Sequence, residues 1–403
     1  MHPITSSVPP GVRSEAELLR GEDAEELALF ALDRGNAWWR RRYCVLAIEG
    51  RVPEHLVDDL IARIRDPEET GEIRLALLEV LAERRELLDW LRGQDWQNEK
   101  RYRLGPAILR ARGLLGDLTA ARDLVTLAGG SWESTAGEDG LDALVERYGR
   151  AAVLAETEED RPEYRRFALR MRHRSGQDVT AALADPDRRV AHLASTLVTD
   201  PDRIRAWIPG APTTESVLWA TWALHRLTGD GAETLALDER LGRPRVEVPG
   251  LDEELRRAVV HQYVPRCHPM SDPRWRVEAL CTAPPQHDVD AWLDRATAAL
   301  TSAGLQPTAP VSAHDHHQQG HGTYHSIDFA GVWVTLSTLG PYAVGPYRRD
   351  SPEVRAARRA LESAGFRWID EAAGSLLVTD LHLYYFGERE PLTLGTLLFY
   401  WQD

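Results

Sequence analysis

A dense run of histidines contains the most concentrated candidate chemistry of this chain. Five histidines and one aspartate lie within twelve residues: His314, Asp315, His316, His317, His321 and His325. Imidazole and carboxylate groups are ligands that Zn²⁺ and similar divalent ions accept in proteins. The sequence therefore offers a candidate metal site whose ligands are His314, His316, His317, His321 and His325.

The surroundings of this histidine run favour a different interpretation. Its order matches neither HxHxDH nor HExxH on a helix, and Gly320, Gly322 and Pro310 predict a loop between strands. A His-rich loop surrounded by water is therefore the interpretation that the composition favours, and we predict no cofactor. A second set, His261, Cys267, His268, Cys281 and His287, fits no zinc-binding spacing.

Two clusters of arginine and aromatic residues are candidate contact surfaces, at residues 38–43 and 164–174. Such clusters can bind phosphates and stack on bases, but their arginines can also pair with local carboxylates such as those of residues 158–160. The repeated Gly-Pro and Pro-Tyr turns of residues 340–347 either present two phenols to a partner or pack them on a sheet. The candidate partner-binding residues are Trp38, Trp39, Arg166, Arg170, Tyr342 and Tyr347.

Charge and composition limit the classes of function. The chain has 403 residues and a net charge of −15, which argues against a dedicated nucleic-acid binder because phosphate contacts need a basic surface. Lys100 is the only lysine among 48 basic residues, which is typical of a GC-rich genome. The three cysteines form no CxxC pair and predict reduced thiols in the cytoplasm. We expect no signal peptide and no membrane span.

The elements that position these residues are mainly helices, and residues 185–195 give the clearest pattern. Asp185 is placed to cap a helix and Pro186 to occupy its first turn. Val190, Leu193, Ala194 and Leu197 then fall at i, i+3, i+4 and i+7, which predicts one apolar stripe. The stretch resembles the signature of a HEAT repeat. This resemblance implies stacked helix pairs with an extended surface for a partner.

Further helical patterns extend from about residue 22 to about residue 241. A second Asp-Pro pair, Asp66-Pro67, lies 119 residues before Asp185, close to three repeats of about 40 residues. Glycine and serine in residues 129–137 predict a loop that interrupts the array. We predict four regions: a flexible N-terminus over residues 1–21, a HEAT-like repeat domain over 22–262, a linker over 263–273 and an α+β domain over 274–403.

The α+β domain is predicted from a change of pattern after Pro273. Residues 275–280 alternate with a period of two, which predicts a strand. Two helices follow, one opening at Asp288 and one at Ser351, with strands between and after them. The order strand, helix, strand, strand, helix, strand is that of a ferredoxin-like sandwich. The predicted fold is thus an α-solenoid of HEAT-like repeats followed by a smaller α+β domain.

The function that this architecture implies is the binding of another protein, without catalysis. A scaffold, an adaptor or an inhibitor of the immunity type would use the solenoid surface and the acidic C-terminal domain, which carries 15 acidic and 10 basic residues over 274–403. Two alternatives remain open at this point. One is a HEAT-like DNA glycosylase or another nucleic-acid repair enzyme, and the other is a metal-dependent hydrolase that uses the His-rich loop.

Overall fold

The computed structural model describes residues 14–99, 103–129, 134–157, 161–285, 288–308, 310–311, 321–329, 331–346 and 351–402. These residues are mostly helical, with a small set of strands towards the C-terminal end. The chain divides into two compact units, Met1–Arg174 and Ser175–Asp403. Within the described ranges every helix is too short or too polar to cross a bilayer.

The described part of the first unit is built from helices. They are α1 (Ser14–Leu19), α2 (Ala24–Leu32), α3 (Trp38–Ala47), α4 (Val57–Arg65), α5 (Gly71–Val80), α6 (Leu88–Arg92), α7 (Leu104–Leu114), α8 (Ala121–Gly129), α9 (Ser134–Tyr148), α10 (Arg150–Ala155) and α11 (Pro162–Arg174). The odd-numbered helices α1 to α9 contact one another in chain order, and α2, α4, α6 and α8 each pack on the odd-numbered helix that follows. The odd-numbered helices therefore form a continuous layer, and each of the helices α3 to α9 in it is contacted by the even-numbered helix before it.

The helix pairs of the first unit recur at a constant interval along the chain. Helices α3, α5 and α7 begin at Trp38, Gly71 and Leu104, and these three starting positions are equally spaced. The buried positions recur at the same interval in four matched pairs: Leu27 and Leu60, Ala31 and Ile64, Cys44 and Leu77, Ile48 and Leu81. This interval is shorter than the repeat of about 40 residues expected from the sequence. The reason is that helices α2, α3, α4, α5 and α7 have only nine to eleven residues each.

The loop predicted over residues 129–137 is wrong in extent, because α8 ends at Gly129 and α9 already begins at Ser134. Gly137 and Gly140 lie inside α9 and allow close contact between helices. A Cβ atom built on Gly113 of α7 would lie 2.6 Å from the Cα atom of Gly140. Glycine serves here as a close-packing residue within a helix and not as a loop residue.

The described part of the second unit begins with a run of seven α-helices and contains three more. They are α12 (Arg188–Leu197), α13 (Pro201–Trp207), α14 (Thr214–Thr228), α15 (Gly231–Arg240), α16 (Glu253–Tyr263), α17 (Pro273–Cys281), α18 (Val289–Ser302), α19 (Pro352–Ser363), α20 (Glu371–Gly374) and α21 (Leu394–Leu398).

Helix α12 is the helix predicted from residues 185–195, but it begins later than expected. Asp187 caps it by accepting from the Arg189 backbone N–H, while the Asp185 carboxylate closes a turn on the Asp187 N–H before the helix. Pro186 therefore lies outside the first helical turn. Of the predicted stripe, Val190 and Ala194 are buried, and Leu193 and Leu197 are half-buried.

The strand predicted over residues 275–280 is wrong, since these residues belong to α17. Asp272 caps this helix by accepting from the Arg274 N–H, and Pro273 is its first residue. An Asp-Pro pair therefore starts α17 as it starts α13. The period-two alternation of residues 275–280 arises because both sides of the helix are covered, with Trp275 and Val277 fully buried.

The described strands of the second unit form three small sheets. They are β1 (His321–Gly322), β2 (Tyr324–Phe329), β3 (Val332–Ser337), β4 (Tyr342–Val344), β5 (Arg367–Trp368), β6 (Leu377–Tyr385), β7 (Glu388–Thr393) and β8 (Trp401–Gln402). The largest sheet has the order β2-β3-β4-β5, with β4 and β5 parallel, and helices α18 and α19 share its core. The predicted ferredoxin-like order is not the observed one, because a helix stands where its first strand was expected.

A second core joins helices and strands within this unit. Its members come from α16, α17, β6 and α21, and the Trp275 indole N–H donates to the Thr379 carbonyl at 3.2 Å. Tyr263, Val264 and Cys267, which fall in the predicted linker, are buried in this core. The boundary between the two compact units lies at residues 174 and 175, well before the predicted linker.

Candidate partner-binding groove

The described part of the first unit contains a groove of about 770 Å³, a size within the range typical of ligand sites. Five helices line it, the odd-numbered α1 to α9. The lining residues are Ala16, Glu17, Arg20, Arg42, Leu46, Glu49, Leu75, Leu78, Glu79, Val80, Ala82, Arg103, Pro106, Ala107, Arg110, Thr135, Ala136 and Asp139. The groove therefore runs across consecutive helices of one layer.

Each of the central helices presents a helical face to the groove. Helix α3 contributes Arg42 and Leu46, and Glu49 follows its end. Helix α5 contributes residues 75, 78, 79 and 80, and residue 82 follows its end. The half-buried aliphatic residues Leu46, Val80 and Ala107 form what we call the apolar floor of the groove, and charged residues of the same lining lie among them.

The groove lining contains equal numbers of arginines and carboxylates. Four arginines, Arg20, Arg42, Arg103 and Arg110, lie among four carboxylates, Glu17, Glu49, Glu79 and Asp139. Arg110 Nε donates to Asp139 Oδ2 at 2.8 Å, and Arg20 lies 3.9 Å from Glu49. Arg42 forms no ion pair or side-chain hydrogen bond with any residue that the structure describes.

The aromatic candidates of α3 lie on another face of that helix. Trp38 is 46% exposed, while Trp39 is half-buried, with its ring 6.3 Å from that of Tyr43. The Arg40 guanidinium lies over the Trp39 ring, 4.8 Å from its centroid. Neither tryptophan lines the groove.

The arginine candidates of α11 bind neighbouring helices. Arg170 Nη1 donates to Glu138 Oε1 at 2.6 Å, and Arg174 repeats this contact one turn later with Asp142 Oδ1, also at 2.6 Å. Arg166 Nη1 donates to the Gly129 carbonyl at 3.3 Å. These contacts fasten α11 to α8 and α9. The carboxylates of residues 158–160, named above as possible partners, lie outside the described residues.

Tyr342 is packed in the protein and Tyr347 lies outside the described residues. Tyr342 belongs to β4, where it is 1% exposed, and its burial raises the pKa of its phenol well above the ordinary range. This is the alternative in which the tyrosine packs on the sheet, and it leaves no surface of Tyr342 for a partner.

The histidine candidates are only partly within the described residues. His314, His316 and His317 lie outside them, and His321 begins β1, with its side chain not described. His325 lies in β2 opposite Leu336 and is 5% exposed. No group of three or more potential metal ligands occurs among the residues that the structure describes.

Sequence reasoning did not single out the groove residues. The available signal was in α5, where Leu75 and Leu78 add apolar positions beside the stripe of Ile73, Leu77 and Leu81. When a helix is apolar on more than one face, the second face is either packed against another part of the protein or exposed.

Comparison with known proteins gives no relative from which a role could be transferred. The chain matches no family model, no curated protein and no solved structure.

Proposed function

We propose that this protein is a non-catalytic binding protein whose first unit receives a segment of another protein in the groove. Scaffold, adaptor and inhibitor roles all use such a surface. The observation that carries the proposal is the aliphatic floor formed by the half-buried residues Leu46, Val80 and Ala107 among charged groove residues. Apolar surface at the centre and polar groups at the edge are the usual composition of a protein interface.

We further propose that the helix pairs of the first unit form a solenoid of HEAT-like repeats. Two observations support this: odd-numbered helices contact one another in chain order, and buried positions recur at the same interval as the helices themselves. In repeat proteins each helix pair covers the next one and leaves an extended surface. The groove is where such a surface would be expected.

A nucleic-acid ligand is not favoured by the groove. Four arginines face four carboxylates there, whereas a phosphate-binding groove needs an excess of cations. None of the described lining residues is aromatic, so the groove offers no ring on which an extruded base could stack. We therefore do not extend the glycosylase interpretation to this groove.

A site-specific photo-crosslinking experiment tests the proposal. A photoreactive amino acid is introduced at Leu46 in the groove, and in a matched variant at Ala62, an exposed position of α4 outside the groove. Both variants are expressed in the native cell and irradiated. We expect a discrete protein adduct at position 46 that is absent at position 62 and is lost when Ala107→Arg fills the groove.

The control for Ala107→Arg is Ala62→Arg, which adds the same side chain at an exposed position of α4 outside the groove. A protein adduct that survives Ala107→Arg, or an adduct with nucleic acid, would contradict the proposal. So would labelling of the two positions by the same set of proteins.

A further inference from the structure

The geometry of the groove points to an amphipathic helix of a protein partner as its ligand, with aliphatic side chains on the groove floor and a carboxylate that pairs with Arg42. This inference rests on the proposed function and names the chemistry of the bound segment.

The secondary structure of the ligand follows from what the groove lacks. Addition of a strand needs an exposed sheet edge, and the described part of the first unit consists of helices without strands. A polyproline segment needs an aromatic-lined groove, and the described lining residues include no aromatic side chain. The remaining common mode is a helix that lays its apolar face into a groove, and aliphatic lining suits that mode.

The dimensions of the groove set the size of this helix. Packed helices lie about 8–10 Å apart, so five adjacent helices span roughly 35 Å. With a rise of about 1.5 Å per residue, a ligand helix of roughly 20 residues covers most of this length. The small residues Ala107 and Ala136 leave room for branched aliphatic side chains of the ligand opposite them.

The acidic residue of the ligand follows from Arg42. Its side chain is half-buried beside the apolar floor, where a guanidinium without a counter-charge is poorly solvated. Arg20 and Arg110 already lie against Glu49 and Asp139. A carboxylate from the ligand would complete the pairing of Arg42. It would also fix the direction of the helix in the groove, because a single off-centre ion pair is satisfied in one orientation only.

Glu17 resembles Arg42 in having no ion pair with a described residue, but the Glu17 side chain is exposed. An exposed pair contributes little to affinity because water already solvates the carboxylate. We therefore expect Arg42, and not Glu17, to select the ligand.

The experiment uses the full chain and two display libraries of peptides long enough to span the groove, one of helical peptides with one randomised face and one of fully randomised sequence. Peptides are selected on the natural sequence and counter-selected on Ala107→Arg. Enriched peptides are then synthesised, and their dissociation constants are measured by fluorescence anisotropy. We expect aliphatic residues at i, i+3, i+4 and i+7 together with an aspartate or glutamate beside that stripe.

Three variants identify the contact. Arg42→Ala is expected to weaken binding about five- to tenfold, and Arg42→Glu to abolish it. A peptide whose acidic residue is replaced by lysine should recover binding to Arg42→Glu. The matched control is Arg172→Ala, which removes an exposed arginine of the same unit outside the groove and should leave binding unchanged.

The possible failures are distinguishable. Peptides that depend on Ala107 but bind Arg42→Ala as tightly as the natural sequence would overturn the carboxylate pairing and leave the groove as a protein-binding site. Extended or proline-rich peptides among the winners would overturn the helical ligand alone. If no peptide distinguishes the natural sequence from Ala107→Arg, both this inference and the proposed function are wrong.

Discussion

Arg41 and Arg74 occupy the same place in two consecutive helix pairs. Arg41 Nε donates to the Ala31 carbonyl at 2.7 Å, and Arg74 Nε donates to the Ile64 carbonyl at 2.8 Å. Each arginine is the fourth residue of its helix, and each carbonyl lies ten positions earlier, near the end of the preceding helix. The constant interval between helix pairs is thus marked by a polar contact as well as by buried apolar residues.

Removal of Arg41 should destabilise the first unit strongly. Both terminal guanidinium nitrogens donate to Glu69, at 3.0 and 2.6 Å, and neither side chain is more than 3% exposed. Arg41→Met would leave a buried carboxylate without its partner, so we expect the free energy of unfolding to fall by about 3–5 kcal/mol in urea denaturation.

The double variant Arg41→Met, Glu69→Leu tests whether the unpaired Glu69 carboxylate causes the loss of stability. It removes both charges and should recover much of the stability lost in the single variant. Equal losses in the single and double variants would show that the unpaired carboxylate is not the cause.

Asp117 should make the first unit sensitive to acid. Burial raises the pKa of this carboxyl, but hydrogen bonds from Arg92, Thr119 and Arg112 outweigh burial and lower it to about 2. Since the folded-state pKa is below the unfolded value, this stabilisation is complete above about pH 4. It is lost as the pH falls towards 2, and it amounts to roughly 2 kcal/mol.

The variant Asp117→Asn tests this assignment. Its urea midpoint should be lower than that of the natural sequence at pH 6, and the difference should shrink steadily between pH 4 and pH 2. A difference that stays constant with pH would assign the loss to packing and not to the charge.

Gly113 lies so close to Gly140 that its replacement by alanine should destabilise the protein, although alanine normally stabilises a helix. Alanine favours a helix over glycine by roughly 1 kcal/mol, yet Gly113→Ala should destabilise because its Cβ atom has no room against α9. Gly231→Ala in α15 is the matched control, since nothing lies within 4 Å of the added Cβ atom. Thermal unfolding should shift down for the first variant and not for the second; stabilisation by both would refute the close contact.

These contacts show what the sequence could and could not predict. Asp200-Pro201 marks the start of α13 in a way that is readable from the sequence, because a cap and a first-turn proline act locally. Asp272-Pro273 carries the same signal, but the alternation of residues 275–280 predicts a strand, because periodicity cannot show that both sides of a helix are covered. The groove depends on which side chains of separate helices meet, and no single segment contains that information.

Phe386 should reduce the stability of the second unit. It forms, with Gly387, the two-residue turn between β6 and β7, with a φ of +44° and 68% exposure. Left-handed backbone is costly for an aromatic residue and is well tolerated by asparagine in such turns. Phe386→Asn should therefore raise the free energy of unfolding by roughly 1 kcal/mol.

Trp333→Asn is the matched control for Phe386→Asn. Trp333 is also exposed, at 52%, but it lies in β3 without a positive φ. Asparagine is disfavoured in strands, so this variant should lose a few tenths of a kcal/mol. Chemical denaturation that shows the same change in both variants would mean that backbone strain at Phe386 is not the cause.

The shared core of the second unit has a consequence for protein synthesis. Leu394 packs in the same core as Trp275, which precedes it by 119 residues. At about 5–20 residues per second, a ribosome needs roughly 6 to 24 seconds to add those residues. During that interval the apolar face of α17 has left the ribosome without its later partners, whereas all of the first unit has already been made. The speed at which the residues between Trp275 and Leu394 are translated therefore bears directly on how much of the second unit escapes aggregation.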